Sequence, residues 1–259
     1  MTETKHHTST HNKNAATLMA FQGITKSFTT GTETVTALNN VSGIITKGAL
    51  NIITGPSGSG KSTLLDILVG LQRPTSGTVL VDGIDIYKLG TDDRAYYRAR
   101  MLGMVYQANY WVKSLNVIEN VSMPLLLAGY DRHQAAELAK LSLESVGMAN
   151  LATQNPINLS GGQQQRISMA RALVANPEVI VADEPTGNLD TRNGSLIMDL
   201  LVAAVKEQSK TVVLVTHNLE YLPLGDKLFY IKDGLLSDNV TASQIVNNLG
   251  PLLTKEAKS

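Results

Sequence analysis

Leu50-Asn51-Ile52-Ile53-Thr54-Gly55-Pro56-Ser57-Gly58-Ser59-Gly60-Lys61-Ser62-Thr63-Leu64-Leu65-Asp66-Ile67-Leu68 joins two hydrophobic periodicities through a glycine-rich turn. Leu50 to Thr54 is a short apolar run with the character of a buried strand. From Ser62 to Leu71, apolar residues at Leu64, Leu65, Ile67, Leu68 and Leu71 carry helical spacing, and the helix is expected to stop before Arg73-Pro74. Between strand and helix, Gly55 to Ser62 fits the pattern G-x-x-x-x-G-K-[ST]. Glycines let the backbone curl so that successive N–H groups converge on phosphate oxygens. The helix that follows turns its positive end toward the same anion. Lys61 supplies a point charge for the β- and γ-phosphates, and the Ser62 hydroxyl is suited to Mg²⁺. A chance glycine-rich turn is the alternative, and the strand before it and helix after it argue against that.

Outward from this stretch the chain alternates. Upstream, Ala20 to Ile24 and Thr34 to Leu38 read as strands flanking the turn-rich Thr29-Thr30-Gly31-Thr32, with further runs at Val41 to Ile45 and Thr78 to Ile86. Asp92 to about Asn155 is mostly helical in pattern and rich in Leu, Ala and Met. Val179 to Ala182 and Thr211 to Val215 read as fully buried parallel strands, and Asp226 to Ile231 with Gly234-Leu235 suggests a closing hairpin. The first residues are polar and aperiodic, so they are expected to form a tail; His6, His7 and His11 there lack an acidic partner for a metal site.

Val179-Ile180-Val181-Ala182 runs directly into Asp183-Glu184. A buried parallel strand that ends in two carboxylates delivers them to the sheet edge where α/β proteins bind ligands. Asp183 is expected to hold Mg²⁺, directly or through water, and Glu184 to polarise an attacking water as general base. Two exposed charges at a loop start is the competing reading for this stretch alone.

Leu159-Ser160-Gly161-Gly162-Gln163-Gln164-Gln165-Arg166 opens another helix, with Ser160 suited to cap it and Ile167, Ala170 and Val174 on its apolar side. Gly161 and Gly162 leave that helix start bare enough for a phosphate, a second anion site apart from the first. With this octet in place, the sequence from about Leu18 to Asp238 resembles the ABC ATPase family.

The resemblance implies an α/β fold: a P-loop NTPase (RecA-like) core with an antiparallel β-subdomain and an α-helical subdomain at about residues 92–160, between tails at 1–17 and 239–259. It implies ATP with Mg²⁺, bound between two copies paired head to tail. Gly55, Pro56, Ser57, Gly58, Ser59, Gly60, Lys61, Ser62 and Thr63 of one copy would face Ser160, Gly161, Gly162 and Gln163 of the other. By the same resemblance Gln107, after Met104-Val105-Tyr106, senses Mg²⁺ and the attacking water, and Asp190, in Gly187-Asn188-Leu189-Asp190, belongs to a loop touching the opposite copy. His217, after Val215-Thr216, matches a switch histidine at the γ-phosphate. Phe28 stands where the family places an adenine-stacking aromatic, with core packing as the alternative.

Leu115 to Val121, Met123 to Gly129 and Asp183 to Asp190 resemble the lipoprotein-releasing, macrolide-exporting and cell-division branch. That resemblance implies integral membrane permease subunits as partners and a cytoplasmic location on the inner face of the membrane. A mechanotransmission complex without cargo and a soluble ATPase of iron–sulfur assembly stay open as alternatives. Ala108-Asn109-Tyr110-Trp111-Val112-Lys113 departs from relatives, which usually carry a proline near position 113. Tyr110 and Trp111 there are apt anchors for a partner helix.

Composition agrees with this reading and narrows it. The chain has 259 residues, 43% apolar, with 22 basic and 22 acidic side chains, so its charge gives no sign of a nucleic-acid partner and none is expected. It has no cysteine, which excludes disulfides and thiolate chemistry. No stretch reaches the ~20 apolar residues needed to span a bilayer, and the polar N-terminus has no apolar core of a secretory signal.

Overall fold

The computed structural model describes residues 16–238 and 240–247, so the histidines expected in an N-terminal tail lie outside the described residues. In chain order, β1 (Thr17–Thr30) and β2 (Glu33–Thr46) form a long antiparallel hairpin. The three short strands read from this region are pieces of that one hairpin, whose register shifts at several points. Those irregularities interrupt the two-residue alternation and hide its length from a pattern search. β3 (Leu50–Thr54) leads to α1 (Lys61–Leu68). The run expected from Thr78 to Ile86 divides into β4 (Ser76–Val81) and β5 (Ile84–Asp85), folded back at Asp82-Gly83. Next come α2 (Thr91–Met101), β6 (Leu102–Tyr106), α3 (Val117–Leu127), α4 (Arg132–Ser145) and α5 (Gly161–Leu173). The chain closes with β7 (Val179–Asp183), α6 (Thr191–Gln208), β8 (Thr211–Val215), β9 (Lys227–Lys232) and β10 (Leu235–Asp238). Residues 242–247 are again helical, and Ile245 is 1% exposed, so part of the expected C-terminal tail packs onto the domain.

Two sheets organise these elements. One is antiparallel, in the order β2-β1-β4-β5; the other has the order β10-β9-β3-β8-β7-β6 and is parallel except for β10. β6 was not expected as a strand within the helical middle, yet it pairs with β7 from Leu102↔Val179 to Tyr106↔Asp183.

The larger sheet is buried on both faces, and alternation along its strands assigns each residue to one of two cores. Ile53, Val181, Val213 and Val215 face α1 and the antiparallel sheet, where Phe21, Ile24, Leu38 and Leu64 complete the packing. Their strand neighbours Ile52, Ile180, Val212 and Leu214 face the opposite side, with Ile167 of α5 and Ile197 and Leu201 of α6. Each such side chain, fully withdrawn from water, stabilises the fold by about 1.5–3 kcal/mol. The sheet order places the C-terminal ends of β3, β8, β7 and β6 side by side, and every expected catalytic residue follows one of these ends.

Candidate functional site

β3 leaves the sheet at Gly55, whose φ is 151°, and a Cβ there would lie 1.9 Å from the Ile231 carbonyl oxygen. Only glycine lets the loop pass so close to β9. The loop ends at Gly60 and α1 begins at Lys61, with no side chain capping it. Its first-turn N–H groups are therefore open to an anion. The Lys61 side chain, in a residue only 8% exposed, donates from Nζ to the carbonyls of Gly55 (3.0 Å) and Pro56 (2.8 Å). Burial draws the Lys61 ammonium below its ordinary pKa, while the carboxylates of Glu184 and Asp183 oppose that shift.

Asp183 ends β7, and its Oδ1 accepts from Ser62 Oγ at 3.5 Å. Burial, with the adjacent Glu184 carboxylate adding to it, pushes the Asp183 carboxyl above the usual range, against a smaller opposing effect from the Ser62 bond. A divalent cation would relieve this. Two oxygen donors from protein, with phosphate oxygens completing the shell, suit Mg²⁺. Among the described residues no group of three or more His, Asp or Glu gathers to hold a metal alone.

At Glu184 the backbone turns left-handed, with φ 48°. That conformation costs a residue with a Cβ about 1–2 kcal/mol. The surroundings fix it: Glu184 N–H donates to Val215 O at 2.9 Å, and Gly187 N–H donates to Glu184 O at 3.1 Å. The turn carries the carboxylate to His217, whose Nδ1 lies 2.8 Å from Glu184 Oε2. His217 itself follows β8, where Thr216 N–H donates to Ile53 O and Thr216 Oγ1 accepts from Asn218 N–H. Gln107 follows β6 and donates from Nε2 to Asn188 Oδ1 at 3.4 Å. Lys61, Ser62, Asp183, Glu184, Gln107 and His217 thus collect along one sheet edge. Glu184, Gly187, Asp190 and His217 line a common cleft.

Ser160 caps α5 in a capping box. Its Oγ accepts from Gln163 N–H at 3.4 Å, while Gln163 Oε1 accepts from Ser160 N–H (3.0 Å) and Ser160 Oγ (3.1 Å). A Cβ on Gly162 would meet Asn193 Oδ1 at 2.4 Å, so α5 and α6 start against each other. Asp190 caps α6, accepting from Asn193 N–H and Asn193 Nδ2, both at 2.8 Å. Those bonds hold the Asp190 carboxyl below the usual range. The Ser160–Gln163 group therefore sits with Asp190 and Asn193, with no bond from it to Lys61 or Ser62 among the described residues.

Phe28 stands on the β1–β2 hairpin at 40% exposure, outside both cores, with Lys26 Nζ 5.0 Å from its ring centroid. Of the two aromatics expected as anchors, Tyr110 is 72% exposed. Trp111 turns inward, and its indole N–H donates to Gln164 Oε1 at 2.8 Å. Asn188, Thr216 and Gln164, which buttress the expected residues, were not singled out from sequence. Gln164 and Asn188 lay within stretches read as motifs, without a role of their own.

Comparison with known proteins is consistent across family, relatives and structures. Residues 38–187 match the ABC transporter family. The lipoprotein-releasing system ATP-binding protein LolD of Legionella pneumophila (strain Lens) is 41% identical over 219 residues, covering 85% of this chain and 96% of its own. The macrolide export ATP-binding/permease protein MacB of Vibrio parahaemolyticus is 38% identical over 231 residues, 89% of this chain and 35% of that larger protein. The cassette MJ0796 of Methanocaldococcus jannaschii has been solved as a dimer, one chain of which matches this one with a TM-score of 0.80 at 38% identity, covering 85% of this chain and 97% of that one. Its post-hydrolysis state with ADP and Pi gives 0.79 at 37% identity, covering 85% and 98%.

Proposed function

The chain belongs to the ABC transporter ATP-binding family, an ATPase family, and from that premise we propose a residue-level account of how it binds and hydrolyses ATP. The observation that carries it is the gathering of Lys61, Ser62, Asp183, Glu184, Gln107 and His217 at adjacent strand ends, while the capped start of α5 forms a second anion-suited surface on a different element. By likeness to the dimeric cassettes, two chains complete the site. The phosphate loop of one copy and Ser160 to Gln163 of the other enclose each ATP, head to tail, and Asp190 lies beside that second surface. Phe28, with its exposed face, stacks on the adenine.

Within the closed site Lys61 leaves the carbonyls of Gly55 and Pro56 for the phosphates. Glu184 orients a water toward the γ-phosphorus and draws on its proton as the new O–P bond forms and the bond to ADP breaks. His217, already in contact with Glu184, is placed to donate to the developing charge on the γ-phosphate oxygens. Ser62, Asp183 and Gln107 would hold Mg²⁺ with the phosphates, where the ion neutralises charge on the β- and γ-oxygens.

Among the described residues no helix is long and apolar enough to cross a membrane. On the family likeness we assign membrane work to partner subunits. By likeness to LolD and MacB, the partners are integral permeases of the lipoprotein-release or macrolide-export type, met at the inner face of the membrane. The test is affinity capture of a tagged, hydrolysis-deficient Glu184→Gln chain from ATP-treated, gently solubilised cells. Recovery of a multi-pass partner supports the transport reading; recovery of soluble scaffold proteins alone overturns it and leaves the ATPase chemistry in place.

A further inference from the structure

Gln107 is bracketed by contacts from a single helix. On its N-terminal side, the carbonyl of Tyr106 accepts from Gln165 Nε2 at 3.1 Å, and Gln165 is 3% exposed. On its C-terminal side, Arg171 Nη2 donates to Asn109 O at 2.6 Å and Arg171 Nη1 to Tyr110 O at 3.4 Å. Trp111 is gripped between Gln164 and Arg171. Its indole N–H bonds to Gln164 Oε1 at 2.8 Å, and the Arg171 guanidinium lies 4.6 Å from its ring centroid. Gln164 cannot turn its amide, because Nε2 is committed to Leu159 O at 2.9 Å.

Gln164 and Arg171 are seven residues apart, two turns of helix, so both project from one face of α5. They hold the segment after Gln107 at a chosen height along that helix. The segment is otherwise poorly disposed to its shape: Tyr110 has φ 47°, in the left-handed region. Such strain persists where the surroundings over-determine it. Here the edge-on contact of the Tyr110 and Tyr106 rings, 5.4 Å between centroids, adds a further constraint. Asn120 of α3 holds Val112, directly after Trp111, accepting from its N–H at 2.9 Å and donating to its carbonyl oxygen at 3.2 Å.

We propose that Trp111, clasped by Gln164 and Arg171, is a positioning residue that ties Gln107 to helix α5. The consequence rests on the two-chain reading above. The start of α5 serves the ATP held by the partner chain, whereas Gln107 serves the ATP held by its own. A displacement of α5 when its capped end meets the partner's phosphate is transmitted through the clasp to Gln107. Trp111 thereby links the two ATP sites, and touches neither nucleotide.

Trp111→Phe keeps an aromatic ring beneath Arg171 and removes the indole N–H together with the five-membered ring that carries it; Arg171→Lys keeps the charge and removes the paired bonds to Asn109 and Tyr110. Both variants are compared with the natural chain for ATP turnover, with thermal unfolding and ATP binding as folding controls. The expected result is a fall in kcat of about tenfold, the size of one misplaced polar contact, with KM for ATP changed less than about twofold. The decisive measurement is a cycle with Gln107→Ala. If Trp111 acts through Gln107, adding Trp111→Phe to Gln107→Ala lowers kcat no further. Multiplying effects, unchanged turnover in Trp111→Phe, or a rise in KM at constant kcat would each overturn the assignment. Absence of turnover in the natural chain is a separate result and bears on the ATPase account alone.

Discussion

His217 Nδ1 and Glu184 Oε2 lie 2.8 Å apart, with His217 68% exposed at its side chain and Glu184 only 16%. The carboxylate is sheltered and oriented while the imidazole remains reachable. The Nε2 side of the ring, turned away from Glu184, is left to meet an incoming group. Two residues from adjacent strand ends, β7 and β8, are thereby set as one unit.

Glu184→Gln preserves an oxygen acceptor for His217 and removes the basic charge. ATP binding is expected to persist while phosphate release falls by about 10²–10⁴-fold. The ATP-bound pair of chains should accumulate, as size-exclusion chromatography with ATP can show. Undiminished phosphate release would take Glu184 out of the chemistry.

For His217→Ala, the expected loss in kcat is about 10²–10³-fold, the usual effect of deleting one preorganised donor from a charged transition state. KM for ATP should shift far less, because Lys61 and the loop amides remain. Steady-state kinetics separate the two quantities, and a loss confined to KM would assign His217 to binding only.

Asp183→Asn should part stability from activity. The folded chain holds the Asp183 proton to higher pH than the unfolded chain does. Stability therefore falls as pH rises from the ordinary carboxylate value to the raised one, and the penalty is complete above it. The amide lacks that penalty, so the nucleotide-free variant should unfold at a slightly higher temperature at neutral pH. Less than about 1 kcal/mol is expected, since the carboxyl is only partly desolvated and solvent screens it. At low pH the difference should vanish, and hydrolysis should be lost throughout.

Ser160→Arg sets a large cation at the α5 start and removes the cap. ATP should still bind its own phosphate loop, seen by equilibrium dialysis, whereas ATP-dependent pairing disappears and turnover falls by about 10²-fold or more. Normal pairing in this variant would contradict a site divided between two chains.

The chemistry was more legible in the sequence than the shape. The phosphate loop, the Asp183-Glu184 strand end and the capped start of α5 each declare themselves within eight residues, because their physics is local. β6 escaped notice because Leu102 to Tyr106 is five residues long and abuts α2, so its apolar run merges with the helical pattern before it. Trp111 was expected to face a partner; its inward turn depends on Gln164 and Arg171, more than fifty residues away, and no periodicity encodes that. Phe28 was undecided between core and surface until the hairpin placed it at 40% exposure.

Lys61 is bonded to Gly55 and Pro56, and Ser160 to Gln163. Each phosphate contact at these points therefore replaces a bond that already exists, and little net heat comes from the exchange. A calorimeter should register capture of ATP as less exothermic than a count of final contacts suggests, with released water and ions carrying much of the affinity. The same self-satisfaction eases the end of the cycle. When phosphate departs, these donors fall back on partners a side-chain rotation away, so product leaves behind a surface with no stranded charge to hold it.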